Sequence, residues 1–358
     1  MTIHVTSARG PYQVLIEPGA LTKLPSLLRA RGLDGRRLVV STPPVWRRHG
    51  RRLLNVAGRG ARPALIPDGE RGKTLVVAAR LYAACLERDL DRASTVIAFG
   101  GGVVGDVAGF AAATFLRGVS LVQAPTTLLA QVDSAIGGKV GVNLPAGKNL
   151  VGAFHPPALV VCDPRVLATL PPRELRAGMF EVVKYGVIAS PALFARLEHQ
   201  LDLLFAQDET TLAAVIAACC RIKADVVMAD EHERGPRRAL NFGHTVGHAL
   251  ETLTRYRRFR HGEAVGYGMR AAAQLSMMRG LMTPEARMRM NQLIDRLGRL
   301  PATTGLKVSD ALDVIRHDKK VVRGRLHFVL AHGLGATKIV SDVTERELAI
   351  VLRGIGLT

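Results

Sequence analysis

The stretch "STVIAFGGGVVGDVAGFAAATF", residues 94–115, constrains this chain more than any other. Thr95–Phe99 is apolar or β-branched at every position and carries no charge, so it reads as a strand covered on both faces. A glycine turn follows and opens a helix, "GDVAGFAAATFLRG". A strand buried on both sides that turns directly into a helix is a unit of an open, largely parallel α/β sheet. Gly100, Gly102 and Gly105 also fit G-x-G-x-x-G, a spacing that brings the backbone close to a diphosphate and aims N–H groups at it. The acid usually found about 20 residues further on is missing, since that region reads "SLVQAPTT". A bound nucleotide would need another acid for its ribose. "PDGERGK" offers Asp68 and Glu70 after the apolar "ALI"; the alternative for that segment is an exposed polar turn.

Further strands are expected at "YQVLIEPG", "RLVVSTPPV", "VSLVQAPTT" and "ALVVCDP", with an amphipathic helix at "TLVVAARLYAACLERDL". Past Pro171-Pro172 the texture changes to helical patterns, "RELRAGMFEVVKYGVIAS" and "GEAVGYGMRAAAQLSMMRGL" among them, with one hairpin candidate at "RLHFVLAHGLGATKIV". The chain has 358 residues, comfortable for two domains. The expected division is a Rossmann-like α/β nucleotide-binding domain over 1–172 and a mostly α-helical domain over 173–358. No uninterrupted apolar span of about 20 residues occurs, and "MTIHVTSARG" lacks a signal layout, so a soluble cytoplasmic protein without a membrane partner is expected. Four cysteines without CxxC spacing point to reduced, buried thiols rather than a zinc knuckle or disulfides.

The formal net charge is +19, from 49 basic and 30 acidic residues. The arginines are scattered and aromatics make up only 4% of the chain, which argues against a nucleic-acid partner and for small anionic ligands. Lysine is scarce: ten residues, seven of them inside motif segments. Where arginine is the default cation, a retained lysine suits a compact charge or an adjustable pKa. "GGKVGVNLPAGKNLVG" places Lys139, Lys148 and Asn149 on a glycine-rich backbone suited to a phosphate or carboxylate; a solvated loop is the alternative.

"NFGHTVGHALE" puts His244 and His248 four residues apart, on one face of a helix. "RHGEAV" adds His261, and "GMFEVVKYG" sets Glu181 in an otherwise apolar helix. A Glu/His/His set leaves open positions on a zinc ion. Thr245 stands where H-E-x-x-H needs its glutamate, which excludes a zincin. These residues describe an enzyme that uses a nucleotide and a metal on an anionic substrate.

The joined motifs resemble a known family. "FGGGVVGDVAGFAAATFLRGVSLVQAPTTLLAQVDSAIGGKVGVNLPAGKNLVGAFHPP", "TLPPRELRAGMFEVVKYGVI", "DEHERGPRRALNFGHTVGHALE", "HGEAV" and "HDKK" follow one another as in the 3-dehydroquinate synthases of the shikimate pathway. The resemblance implies their fold, shared with glycerol dehydrogenases and iron-type alcohol dehydrogenases. It implies NAD held by Asp68, Glu70, Lys73, Gly102, Val103, Gly105, Asp106, Thr126, Thr127, Lys139, Lys148 and Thr169. It implies a zinc site, with cobalt as the alternative ion, made by Glu181, His244 and His261, and it moves His248 to the substrate side. Asp133, Lys139, Asn149, Lys184, Lys223, Glu233, Arg237 and Asn241 are the other implied substrate-side residues, with Lys319 or Lys320. Arg117, in "FLRG", is implied to reach the phosphate site of a neighbouring copy, hence a homodimer. The implied substrate is a sugar phosphate, 3-deoxy-D-arabino-heptulosonate 7-phosphate. Against a sister sugar-phosphate cyclase stand the Lys148-Asn149 pair and the carboxylate-binding set Lys223 and Arg237.

Overall fold

The computed structural model describes residues 1–53, 62–316, 321–322 and 325–358. They form two compact units, one of Met1–Pro171 with Leu204–His232 and one of Pro172–Leu203 with Glu233–Thr358.

The first unit is built on a seven-stranded sheet. In chain order it comprises β1 (Thr2–Val5), β2 (Tyr12–Ile16), α1 (Leu24–Arg29), β3 (Arg37–Ser41), α2 (Pro43–His49), β4 (Ala64–Leu65), α3 (Leu75–Leu86), β5 (Thr95–Gly100), α4 (Gly102–Thr114), β6 (Ser120–Pro125), the hairpin β7 (Lys139–Leu144) and β8 (Gly147–Phe154), and β9 (Leu159–Cys162). The sheet order is β1-β2-β9-β6-β5-β3-β4, parallel throughout except for the antiparallel β1 at one edge. All six residues of β5 are buried. Val96 and Ala98 face a layer with α3 and α4, among them Val77, Leu81, Val104 and Val107. Ile97 and Phe99 face the opposite layer with Leu21, Leu24 and Leu28. The two-residue period of a strand therefore spends one apolar run on two cores, as the charge-free sequence of this segment requires.

Three features depart from the reading by pattern. Strand β3 stops at Ser41, because Pro43-Pro44 presets the first turn of α2. The glycine-rich segment from Lys139 to Phe154 is an antiparallel hairpin rather than a loop, with Val140 and Val142 in the core. The four-residue β1, "TIHV", is too short to stand out by alternation.

The chain enters the second unit through α5 (Pro172–Ala189) and α6 (Pro191–Phe205) and then comes back. Helix α7 (Glu209–Ala229) belongs to the first unit, beside β1, β2 and a π-helical turn at Ala130–Ser134. The Asp208 carboxylate caps α7 by accepting from the Thr211 N–H at 2.7 Å. The Cys162 and Cys220 thiols both donate to the Gln131 carbonyl, at 3.7 and 3.3 Å. The adjoining Cys220 thiol, together with burial, holds Cys162 well above the usual cysteine range, so it stays a thiol at neutral pH. All four cysteines are free and buried.

The second unit continues with α8 (His244–Leu253), α9 (His261–Met278), α10 (Pro284–Arg296), α11 (Val308–Arg316), an antiparallel pair of Phe328–Ala331 with Thr337–Val340, and α12 (Glu345–Gly354). Helix α9 is central and packs on α5, α8, α10 and α12. Glycine permits two of these approaches: a Cβ on Gly262 would lie 1.8 Å from the Ala177 carbonyl oxygen, and one on Gly268 would lie 1.8 Å from that of Gly243. Arg173 forks onto both oxygens of Glu263, each at 2.7 Å, so the first turns of α5 and α9 are clamped together. The same glutamate accepts from the Arg260 N–H at 2.8 Å, closing the start of α9. No helix among the described residues is long and apolar enough to cross a membrane.

Gly262→Ala must push α9 away from α5. The expected result is a loss of about 1–3 kcal/mol, read as a lower urea midpoint at an unchanged m-value.

Candidate active site

The glycine turn lies at the carboxyl end of β5, where ligands bind in open α/β sheets. Helix α4 starts at Gly102, and neither a side-chain cap nor an acid occupies its first turn, so its amino end is open to an anion. A Cβ on Gly105 would stand 2.8 Å from Gln123 Oε1, the end of a side chain on β6 whose Nε2 donates to the Gly105 carbonyl at 3.3 Å. Val103 and Thr127 flank the turn, and the Thr127 hydroxyl accepts from the Ala130 N–H at 3.2 Å. At the ends of β6 and β3, the hydroxyls of Thr126 and Thr42 are buried without a hydrogen-bond partner among the described residues. Two orphaned hydroxyls at this edge fit a polar ligand such as a dinucleotide. Thr169 is held by the His49 ring at 2.7 Å.

The "DGERGK" segment reaches this region. Lys73, only 5% exposed, pairs with Asp106 on α4. Burial pushes the Asp106 carboxyl up, against the pull of the Lys73 ammonium. Asp68 is exposed, while Glu70 accepts from Asn143 Nδ2 at 2.8 Å and faces Lys148 Nζ at 3.5 Å. Asn143 Oδ1 in turn accepts from the Asn149 N–H at 2.9 Å, and Asn149 sits at φ 54°. The hairpin thus brings Lys148 and Asn149 to Glu70, whereas Lys139, at its other end, is exposed. In the π-helical turn Asp133 pairs with Lys223 of α7 at 2.5 Å.

Arg117 and Leu116 both adopt left-handed backbone, at φ 67° and 50°, on an exposed turn after α4. Arg117 lines a cavity of about 870 Å³ with His4, Arg9, Arg31, Arg92 and His155, and no carboxylate is in its lining. Within it Arg9 donates to His155 Nδ1 at 2.6 Å, and His155 Nε2 meets the Val119 carbonyl at 2.9 Å. Burial, with the Arg9 charge adding to it, pulls the His155 pKa down, so the ring is neutral and free to accept.

The second unit holds the metal-type residues. Glu181 is fully buried in α5, and the Lys184 ammonium, itself 1% exposed, lies against its Oε2. Neither oxygen of Glu181 makes a hydrogen bond of proper geometry among the described residues. Its Oε1 faces two imidazoles, with Nε2 of His244 and Nε2 of His261 each at 3.7 Å. The opposite ring nitrogens have acceptors: His244 Nδ1 meets the Phe242 carbonyl at 3.2 Å, and His261 Nδ1 meets Glu251 Oε2 at 3.1 Å. Those contacts turn Nδ1 of each ring to its own partner and Nε2 toward the Glu181 carboxylate. A carboxylate and two imidazoles converge there, a donor set that suits a divalent cation. His248 is close as well, with ring centroids 5.4 Å from His244 and 5.8 Å from His261. One donor atom from each of the three histidines falls within 4.8 Å of the others. The orphaned Oε1 is what adds Glu181 to any ligand set. Of the remaining expected residues, Arg237 is 2% exposed, and Asn241 donates to Glu233, which has φ 58°. Lys319 and Lys320 lie outside the described residues.

Family models described as the 3-dehydroquinate synthase N-terminal and C-terminal parts match residues 63–177 and 178–321. The chain belongs to the 3-dehydroquinate synthase family. The 3-dehydroquinate synthase of Gloeobacter violaceus is 48% identical over 98% of both chains. Among solved structures, a 2-epi-5-epi-valiolone synthase from Streptomyces hygroscopicus subsp. jinggangensis, with NAD+ and Zn2+ bound, matches with a TM-score of 0.88 and 30% identity over 96% of both chains. A 2-deoxy-scyllo-inosose synthase complexed with carbaglucose-6-phosphate, NAD+ and Co2+ matches with a TM-score of 0.86 and 27% identity over 99% of both. The α/β sheet unit and helical unit expected of a 3-dehydroquinate synthase are both present.

Thr42, Asn143 and Glu251 were not singled out by motif. Thr42 and Asn143 carry no spacing signal. Glu251 does, since His244, His248 and Glu251 are spaced i, i+4, i+7 along α8.

Glu181→Gln removes the charge that both Lys184 and a metal would meet. The metal-free variant should unfold about 3–5 kcal/mol more easily, as a broken buried pair does, and should no longer retain Co2+ on gel filtration. Unaltered Co2+ retention would exclude Glu181 from the site.

Proposed function

We propose that this chain converts 3-deoxy-D-arabino-heptulosonate 7-phosphate to 3-dehydroquinate and phosphate, as a cytoplasmic enzyme of aromatic amino acid biosynthesis. What carries the reading is the 48% identity to a 3-dehydroquinate synthase across 98% of both chains. NAD and a divalent cation, zinc or cobalt, would supply a recycled hydride acceptor and a Lewis acid for the hydroxyl to be oxidised. Glu181, His244 and His261 would hold the cation. For the dinucleotide, Gly102, Val103, Gly105 and the amino end of α4 would take the diphosphate. Glu70 and Asp68 would take the ribose, with Lys73, Asp106, Thr126, Thr127, Lys148 and Thr169 around them.

The remaining chemistry rests on side chains that place charge and move protons. Transient oxidation at C5 acidifies the neighbouring C6–H. Loss of that proton expels phosphate from C7, reduction restores the C5 hydroxyl, and ring opening with an internal aldol closes the carbocycle. Lys139, Asn149, Lys223, Arg237 and Asn241 would grip the phosphate and carboxylate and hold one reactive conformer. Asp133 and Glu233 set the orientation of Lys223 and Asn241, to which they are bonded. The departing phosphate would take the C6 proton, with His248 or Lys184 assisting. Lys319 or Lys320 would complete the set. Arg117 would reach the phosphate of a neighbouring copy in a homodimer, a reading supported by its exposed left-handed turn and by the cationic cavity beside it. The scattered arginines make no specific nucleic-acid site.

The test is phosphate release from this substrate with NAD, with and without a chelator, and identification of the product. NAD-dependent, chelator-sensitive formation of 3-dehydroquinate is expected. Release from sedoheptulose 7-phosphate instead would assign a sister cyclase activity, and no release from either would overturn the reading. The homodimer is tested by mixing two inactive variants, Arg117→Ala and Lys184→Ala. Random reassortment should restore about a quarter of wild-type activity, because one site of each mixed dimer is intact. A mixture that stays inactive would place Arg117 in its own subunit's site or in none.

A further inference from the structure

We infer that Glu251 is a positioning residue that sets the proton and the donor strength of His261 at the metal site. The inference rests on the reading of Glu181, His244 and His261 as a metal centre.

Glu251 lies on α8, seven residues beyond His244, and is 4% exposed. A carboxylate so deeply buried costs free energy unless polar groups meet it. One of its oxygens stands 3.1 Å from His261 Nδ1. A carboxylate oxygen accepts, so this contact is made by Nδ1–H and turns Nε2 toward Glu181 Oε1, 3.7 Å away. His244 reaches the same tautomer by a different partner, the Phe242 carbonyl at 3.2 Å. The two imidazoles that face Glu181 are therefore unequal: one is backed by a neutral amide and the other by a charge. A carboxylate behind an imidazole fixes its ring rotation and tautomer, and it also makes the far nitrogen a stronger donor.

The charge balance gives Glu251 a second purpose. Lys184 lies against Glu181 Oε2 and offsets the one negative charge within the donor set. Part of what Glu181 would offer a dication is thus already engaged by the Lys184 ammonium. Glu251 returns a negative charge to the cluster from behind His261, without taking up a coordination position. The two carboxylates differ in this respect, since Oε1 of Glu181 is unbonded among the described residues and free to ligate, while Glu251 is engaged with the ring.

A merely structural tie between α8 and α9 would be kept by Glu251→Gln, which matches the size and can still accept from Nδ1–H through its amide oxygen. The positioning role would not be kept, because the charge is gone. We expect Co2+ affinity, measured by chelator competition on full-length protein without substrate, to fall about 10-fold in Glu251→Gln and up to about 100-fold in Glu251→Ala. The visible Co2+ spectrum should change in both. Urea unfolding of metal-free Glu251→Gln should match the wild type. Nitrogen NMR of the metal-free histidines should show His261 protonated on Nδ1 in wild type and Glu251→Gln, and mixed tautomers in Glu251→Ala. Should Glu251→Ala fail to fold, Glu251→Gln alone carries the comparison. If both variants bind Co2+ as the wild type does, the positioning role is overturned. If the wild type itself takes no Co2+, the metal-centre reading fails and this inference fails with it.

Discussion

The second unit is organised around one costly choice, a carboxylate placed with no exposed surface in the middle of an apolar helix. A lone buried anion would shift its pKa and neutralise, so the fold has to answer Glu181 with positive charge or lose it. Lys184, one helical turn on, answers one oxygen. The other oxygen looks at two imidazole nitrogens, Nε2 of His244 and of His261. Holding these groups in one place requires rigid neighbours. Helices α5, α8 and α9 therefore touch backbone to backbone through Gly262 and Gly268, and the Arg173 fork on Glu263 sets where α9 begins. His261 is the first residue of that helix.

The first unit solves a simpler problem by ordinary means. A strand apolar on both faces sits in the middle of the sheet, and its carboxyl end opens into a helix whose amino end is uncapped. Under the proposed function, the acid absent from the usual position after the glycine turn would have its counterpart upstream in Glu70. The hairpin β7–β8 delivers Asn143 and Lys148 to it, because Asn143 bridges to Thr74 just past that motif.

The architecture was legible wherever a single periodicity decided the matter. The charge-free run at 95–99 reads as an interior strand, and the texture after Pro172 reads as helices. The hairpin at 139–154 was hidden because Gly141, Gly147 and Gly152 interrupt the alternation that marks a strand. The return of α7 to the first unit was hidden for another reason. An apolar helix face reads the same whichever core it covers, and the thiol bonds to Gln131 that mark its place depend on residues 31 and 89 positions apart. At the metal-type cluster, spacing favours His244 with His248, and only the resemblance points to His244 with His261. The choice depends on ring orientation, hence on what lies behind each Nδ1, and no spacing rule contains that. Family resemblance implies one set, and the unbonded oxygen of Glu181 supports proposing it.

The Lys184–Glu181 contact has a consequence for how such a site comes into being. Small metal domains often cannot fold empty, because their ligands repel one another until the ion arrives. Here a side-chain ammonium already stands against the buried carboxylate, so the chain carries its own stand-in for the missing charge. The buried carboxylate is thus balanced by a charge of the chain's own, one helical turn away. An ion that used Glu181 would have to share it with an occupant that is covalently part of the chain.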